Sequence, residues 1–209
     1  MKAVSEAIRE HYGATIEDLV PTYAKLLILF SEPVHFGAEL EQLKGIIESI
    51  ELKDSWSVTR WKIPVCYDVC YGLDLEEICQ KKQLSLEEFI EIHSGKDYPI
   101  HFFGFLPGFF YLGGLDEKLH FSRKESPRRR VTKGSVGIGG SQTGIYPQNS
   151  PGGWQLIGRT PIDLFDAKAD PPVFAKLGDV IRFIPVDQME FDRIKTLAPN
   201  FMLEKEVIE

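Results

Sequence analysis

Hydrophobic and polar positions change rhythm partway along the chain. Up to about residue 95 they recur at helical or alternating spacing; beyond it, short apolar runs are cut by glycine- and proline-rich turns. Residues 2–11 predict a short helix with Val4 and Ile8 on one face, stopped by Gly13. Residues 16–19 and 23–30 predict extended segments. Residues 38–50 set Leu40, Leu43, Ile47 and Ile50 at helical spacing, with Glu39 and Glu41 in the first turn. Residues 56–67 alternate, so that Trp61, Ile63, Val65 and Tyr67 share a face. Helices over 74–82 and 85–93 follow; a Ser85/Glu88 capping box opens the second and Gly95 closes it.

From residue 98 onward lie 13 of the 18 glycines and 10 of the 13 prolines, so long regular elements are not expected there. Short strands are predicted at 100–105, 135–138, 154–158, 162–165 and 180–185, with one helix at 188–197. The two rhythms predict an α+β domain over residues 1–96 and a mainly-β domain, a barrel or compact β-structure, over 97–209. The boundary is placed near Gly95–Pro99.

Bulk properties narrow the function. The 209 residues suit one large or two small domains, and 43% hydrophobic with 26% charged residues is ordinary globular composition. The longest apolar run, LLILF, is far shorter than the ~20 residues a membrane helix needs. The opening MKAVSEAIREHYG has no signal-peptide core, so the chain is read as cytoplasmic. Cys66, Cys70 and Cys79 match no common zinc spacing, and the five histidines form no paired ligand motif; no metal site is expected. The net charge of −7 divides into −8 over residues 1–97 and +1 over 98–209, which argues against nucleic acid. The run FSRKESPRRRVTK is the local exception, either a solvated loop or an anion-binding one.

Candidate chemistry gathers in GSQTGIYPQNSPGGWQLIGRTPIDLFD. Its turn residues alternate with groups that hydrogen-bond in several directions (Gln142, Thr143, Tyr146, Gln148, Asn149, Ser150) beside Trp154, the look of a polar, aromatic-walled ligand site on loops. It is no Walker loop, because Lys133 precedes the glycines, and no dinucleotide fingerprint, because no helix opens there. GFLPGFFYLGGL is too apolar to stand exposed and must line a core, a pocket or a subunit interface. His93 ends a capped helix, where a histidine either complements the helix dipole or takes a catalytic or ligand role. No Gly-x-Ser-x-Gly elbow supports a serine nucleophile.

GFLPGFFYLGGL, SPRRRVTKGSVGIGGSQTGIYPQNSPGGWQLIGRTPIDLFD and DPPVFAKLGDVIRFIPV together resemble one family. It contains the B component of bacterial ATP-dependent 5-oxoprolinase, has been labelled allophanate hydrolase subunit 1, and includes a histidine-kinase inhibitor, KipI. The chain is also similar to a subdomain of the carboxyltransferase part of urea carboxylase. The resemblance implies a ferredoxin-like N-terminal domain, here lacking its first strand, and a cyclophilin-like barrel. It implies work alongside a homologous C component and a TIM-barrel-like A component, with ATP hydrolysis driving 5-oxoproline to glutamate. Opening that lactam needs donors for developing charge. On this reading Gln142, Tyr146 and His93 are the catalytic candidates. Arg128 and Arg130 are candidates for the anion, and Thr143, Ser150, Gly152, Gly153 and Trp154 for the substrate. The alternatives left open are a kinase inhibitor and a urea- or allophanate-related subunit.

Overall fold

The structure, a computed structural model, describes residues 2–22, 24–51, 57–197 and 201–208. Two compact units divide between residues 56 and 57. The first holds α1 (Lys2–Tyr12), β1 (Ile16–Pro21), β2 (Leu26–Phe30) and α2 (Phe36–Glu48). Strands β1 and β2 make a two-stranded antiparallel sheet. Ile8, Ile16 and Leu19 form its small core, with Leu26, Ile28, Phe30, Leu43 and Ile46 packed against them. The inward stripe of α2 is therefore Leu43 and Ile46, not the predicted row through Leu40 and Ile47, which are 40% and 49% exposed. Two strands are too narrow to cover more of the helix. The expected positions Tyr23 and Trp56 lie outside the described residues.

The second unit runs β3 (Val58–Val65), α3 (Leu75–Lys82), α4 (Leu86–Ser94), β4 (Asp97–Phe103), β5 (Phe110–Leu112), β6 (Arg128–Val131) and β7 (Ser135–Gly139). It continues with β8 (Gln142–Ile145), β9 (Ser150–Gly152), β10 (Gln155–Arg159), β11 (Val180–Pro185), α5 (Gln188–Leu197) and β12 (Lys205–Ile208). The main sheet has the order β10-β7-β8-β5-β4-β11-β3-β12, while β6 and β9 form a separate ribbon. Cys66, just beyond β3, exchanges both backbone hydrogen bonds with Arg159 at the end of β10, each 2.9 Å. The ladder thus returns to its starting strand and the sheet closes on itself.

That closure explains where the units divide. β3 lies parallel to β11 along its length, from Arg60 beside Val180 to Val65 beside Pro185. Residues 57–96, assigned by their sequence rhythm to the N-terminal domain, belong by contact to the β-rich unit. Asp179 reinforces the seam by accepting from the Thr59 amide (3.1 Å) and the Trp61 indole (3.0 Å).

Period-two alternation sorts side chains between two cores. Phe110, Leu112, Val136, Ile138, Ile145 and Ile157 point into the main core. Phe109, Tyr146, Trp154 and Leu156 form a second cluster, with Tyr111 against it. GFLPGFFYLGGL is thereby covered largely by its own chain, with Phe105 (60%), Pro107 and Gly114 exposed. The capping box at Ser85 is present, whereas the strand expected at 162–165 is irregular.

Candidate functional site

The second cluster opens into a cavity of about 310 Å³ lined by Phe105, Phe109, Tyr111, Arg123, Lys124, Pro127, Tyr146, Pro151, Gly152, Gly153 and Trp154. Its floor is the indole of Trp154, laid against the glycine-rich strands. A Cβ at Gly139 would stand 2.6 Å from that indole, so only glycine lets the ring lie so close. A Cβ at Gly152 would fall 2.4 Å from the Tyr146 hydroxyl, which holds the β9 backbone tight to the phenol. Phe109 meets both Tyr146 and Trp154 edge to face with centroids 5.4 Å apart.

One cation is posed over this floor. The Arg123 guanidinium lies 5.6 Å from the centroid of the Trp154 ring. Burial raises the Tyr146 pKa, against a hydrogen bond from the Trp154 backbone that lowers it, so the phenol stays protonated at neutral pH. Flat aromatic surface, a protonated phenol and the Arg123 guanidinium suit a small planar ligand bearing one anionic group.

The structure separates the residues the sequence grouped. Tyr146, Gly152, Gly153 and Trp154 line the cavity. Gln142 is half-buried on β8, a strand where the sequence predicts a loop. Thr143 and His93 are sealed in the interior. The Thr143 hydroxyl donates to the Gly137 carbonyl (3.1 Å), so it accepts from His93 Nε2 (3.0 Å). His93 Nδ1 then accepts from the Tyr67 hydroxyl at 2.7 Å. Burial pushes the His93 pKa down to about 3, and its ring stacks on Phe183 at 4.6 Å. Such an imidazole is neutral and enclosed.

Arg128 and Arg130 also part. Arg128 Nη2 donates to Asp74 Oδ1 at 2.6 Å, and Lys124 Nζ reaches the same oxygen at 3.1 Å. Asp74 Oδ2 accepts from the Leu156 amide at 2.6 Å. Burial alone would raise the Asp74 pKa, but those three donors outweigh it and hold the carboxyl below its usual range. Arg128 thus anchors the loop rather than facing the cavity, and Arg130 is exposed. Ser150 is buried, its hydroxyl without a partner among the described residues.

Arg123, Lys124, Phe109 and Tyr111 are site residues that sequence reasoning misses, although both parent segments stand out. The missing signal is long-range: β5 pairs with β8, which brings GFFYL beside QTGIY. Among the described residues, no group of three or more His, Cys, Asp or Glu could hold a metal ion. No helix of the described residues is long and apolar enough to cross a membrane.

Comparison with known proteins places this geometry. The model of the carboxyltransferase domain, subdomain C and D, matches residues 1–175. A relative from Bacillus subtilis, the B component of 5-oxoprolinase, is 37% identical over 189 residues, covering 85% of this chain and 79% of its own. The crystal structure of TTHA0988 superposes with a TM-score of 0.74 at 34% identity, covering 89% of this chain. This chain spans only 36% of the length of TTHA0988. The urea amidolyase of K. lactis shares the fold at a TM-score of 0.83 and 21% identity, over 99% of this chain and 14% of its own.

Proposed function

Because the chain belongs to the family of the carboxyltransferase domain, subdomain C and D, we propose that it is the B component of an ATP-dependent 5-oxoprolinase. The observation that carries this reading is the 37% identity to the Bacillus subtilis protein across most of both chains. The aromatic cavity supplies the chemistry. 5-Oxoproline is a flat lactam with one carboxylate; its ring fits against Trp154, and its carboxylate fits Arg123, with Lys124, paired to Asp74, lining the cavity beside it. Tyr146, protonated and held between Gly152 and the Trp154 backbone, is placed to donate as the lactam oxygen gains charge.

On this reading the candidate set contracts. Tyr146, Gly152, Gly153 and Trp154 keep their roles and are joined by Arg123 and Lys124. His93, Thr143 and Arg128 hold the scaffold that presents them. Gln142, half-buried on β8, is not among the residues lining the cavity, and Arg130 and Ser150 have no role in it. The partners are a homologous C component and a TIM-barrel-like A component, and the complex consumes ATP. The self-closing sheet favours a cyclophilin-like barrel for the C-terminal domain, and the small first unit a reduced ferredoxin-like fold. The urea- and allophanate-related alternative has the shared fold behind it, and fold alone does not carry activity.

Reconstitution with the two partner proteins, following 5-oxoproline-dependent ADP release, tests the proposal. Turnover that requires this chain is the expected result. A folded, assembled complex that releases no ADP would overturn it, and inhibition of a sensor histidine kinase by the isolated chain would replace it with the inhibitor reading.

A further inference from the structure

A second cavity, about 270 Å³, lies at the other end of β10 from Trp154. Arg159 stands five positions beyond Trp154, roughly 16 Å of extended chain, so the two sites are distinct. Its cations come from three separate elements: Lys133 from the turn after β6, Arg159 from β10 and Lys195 from α5. Phe191 and Ile162 add apolar wall.

The cavity is built rather than incidental. Arg159 Nε donates to the Lys133 carbonyl at 2.9 Å, and its guanidinium lies 5.7 Å from the Tyr71 ring centroid. Both contacts fix the guanidinium, while its two Nη groups have no hydrogen-bond partner among the described residues. Lys195 likewise makes no ion pair with a described residue. Gly134 sits at φ +83°, where a Cβ would come within 2.3 Å of the Thr160 carbonyl, so the floor of the cavity tolerates no side chain there. The Thr160 hydroxyl, on a residue only 2% exposed, accepts from the Ile162 amide at 3.2 Å and keeps its own proton to donate.

We propose that this second cavity binds the phosphoryl group of a small ligand. Three cations face one carboxylate, Asp163, which is paired with Lys133 at 2.7 Å and is itself 61% exposed. The surplus of about two positive charges matches a phosphate dianion better than a monocarboxylate. Arg159 supplies the planar fork suited to phosphate oxygens, and the remaining volume accommodates an attached body against Phe191. Lys195 and Phe191 lie beyond residue 175, outside the span matched by the family model. The proposal does not rest on the 5-oxoprolinase reading.

The test is calorimetric titration of the full chain with inorganic phosphate and with ADP at constant ionic strength, with acetate as the monoanion control. Saturable phosphate binding is expected, weakened about tenfold or more by K195E and by R159K, since lysine cannot reproduce the bidentate fork. K195E alters an exposed side chain and should melt like the wild type without ligand, which separates lost binding from lost fold. Arg123→Gln should leave phosphate binding intact. ADP binding at least tenfold tighter than phosphate identifies a nucleotide as the source; equal affinities identify free phosphate or a simple ester. The proposal is overturned if neither phosphate probe saturates, if acetate binds as well as phosphate, or if R123Q abolishes binding while K195E does not.

Discussion

Two polar side chains from one short stretch, Thr143 and Tyr146, are both buried but face different surroundings. Thr143 points into the closed sheet, where it joins His93 and Tyr67 in a hydrogen-bonded chain without access to water. Tyr146, three residues on, points the other way and, though only 1% exposed, forms part of the wall of an aromatic cavity with Trp154. The difference is one of parity along an extended chain. Hydrogen-bonding capacity alone does not mark a site: a sealed network uses the same residue types to fix one packing arrangement, whereas the Tyr146 phenol sits in the wall of a cavity.

The strongest way to break this contrast is at Asp74, where scaffold and cavity meet. Asp74→Ala removes the acceptor for Arg128, Lys124 and the Leu156 amide, and is expected to cost about 3–5 kcal/mol of stability by leaving one buried amide and two partly buried cations unpaired. Urea denaturation measures it. A loss below about 1 kcal/mol would mean the cluster is ornamental.

Tyr146→Phe sharpens the contrast from the cavity side. The expected outcome is a 30- to 1000-fold fall in kcat for 5-oxoproline-dependent ADP release, about 2–4 kcal/mol of barrier, with the fold retained. If His93→Gln produced the same kinetic loss at unchanged stability, the sealed group would be catalytic after all. Arg123→Gln comes next, with KM for 5-oxoproline raised about tenfold or more and kcat less affected, since a charged hydrogen bond contributes ~1.5–3 kcal/mol. An unchanged KM would remove Arg123 from the site.

The interior network makes its own prediction about pH. His93 has a folded pKa of about 3 against an ordinary 6.5, so protons bind the unfolded chain first. This group's contribution is complete above pH 6.5 and is lost as pH falls toward 3, at about 1.4 kcal/mol per pH unit. Denaturation between about pH 6.5 and 4.5, a window above the range of Asp74, should show a slope shallower by that amount in His93→Gln. Equal slopes would mean His93 is protonated when folded. Smallest of all, Arg130→Gln should change stability by less than ~0.5 kcal/mol and leave kinetics untouched.

How much is legible in the sequence follows the distance over which each feature is determined. The capped helix from Ser85 and the helix at α5 are legible because their signals are local. β8 reads as loop because glycine and polar residues mask its alternation, and only the partners β5 and β7 show it to be a strand. Trp154, Tyr146 and the paired glycines, picked out by their company, do come together in the wall of one cavity. The sorting of Arg128 from Arg123 is not, because it depends on Asp74, 54 positions before Arg128 in the chain.

The seam between β3 and β11 also sets a timetable. Thr59 and Asp179 are hydrogen-bonded across 120 residues, so β3 leaves the ribosome long before the strand it pairs with. At typical synthesis rates of ~5–20 residues per second, that interval lasts roughly 6–24 s. Throughout it the apolar face of VTRWKIPV has no mate. Slow translation of the residues between β3 and β11 is therefore expected to lower the soluble yield, and added chaperone to restore it.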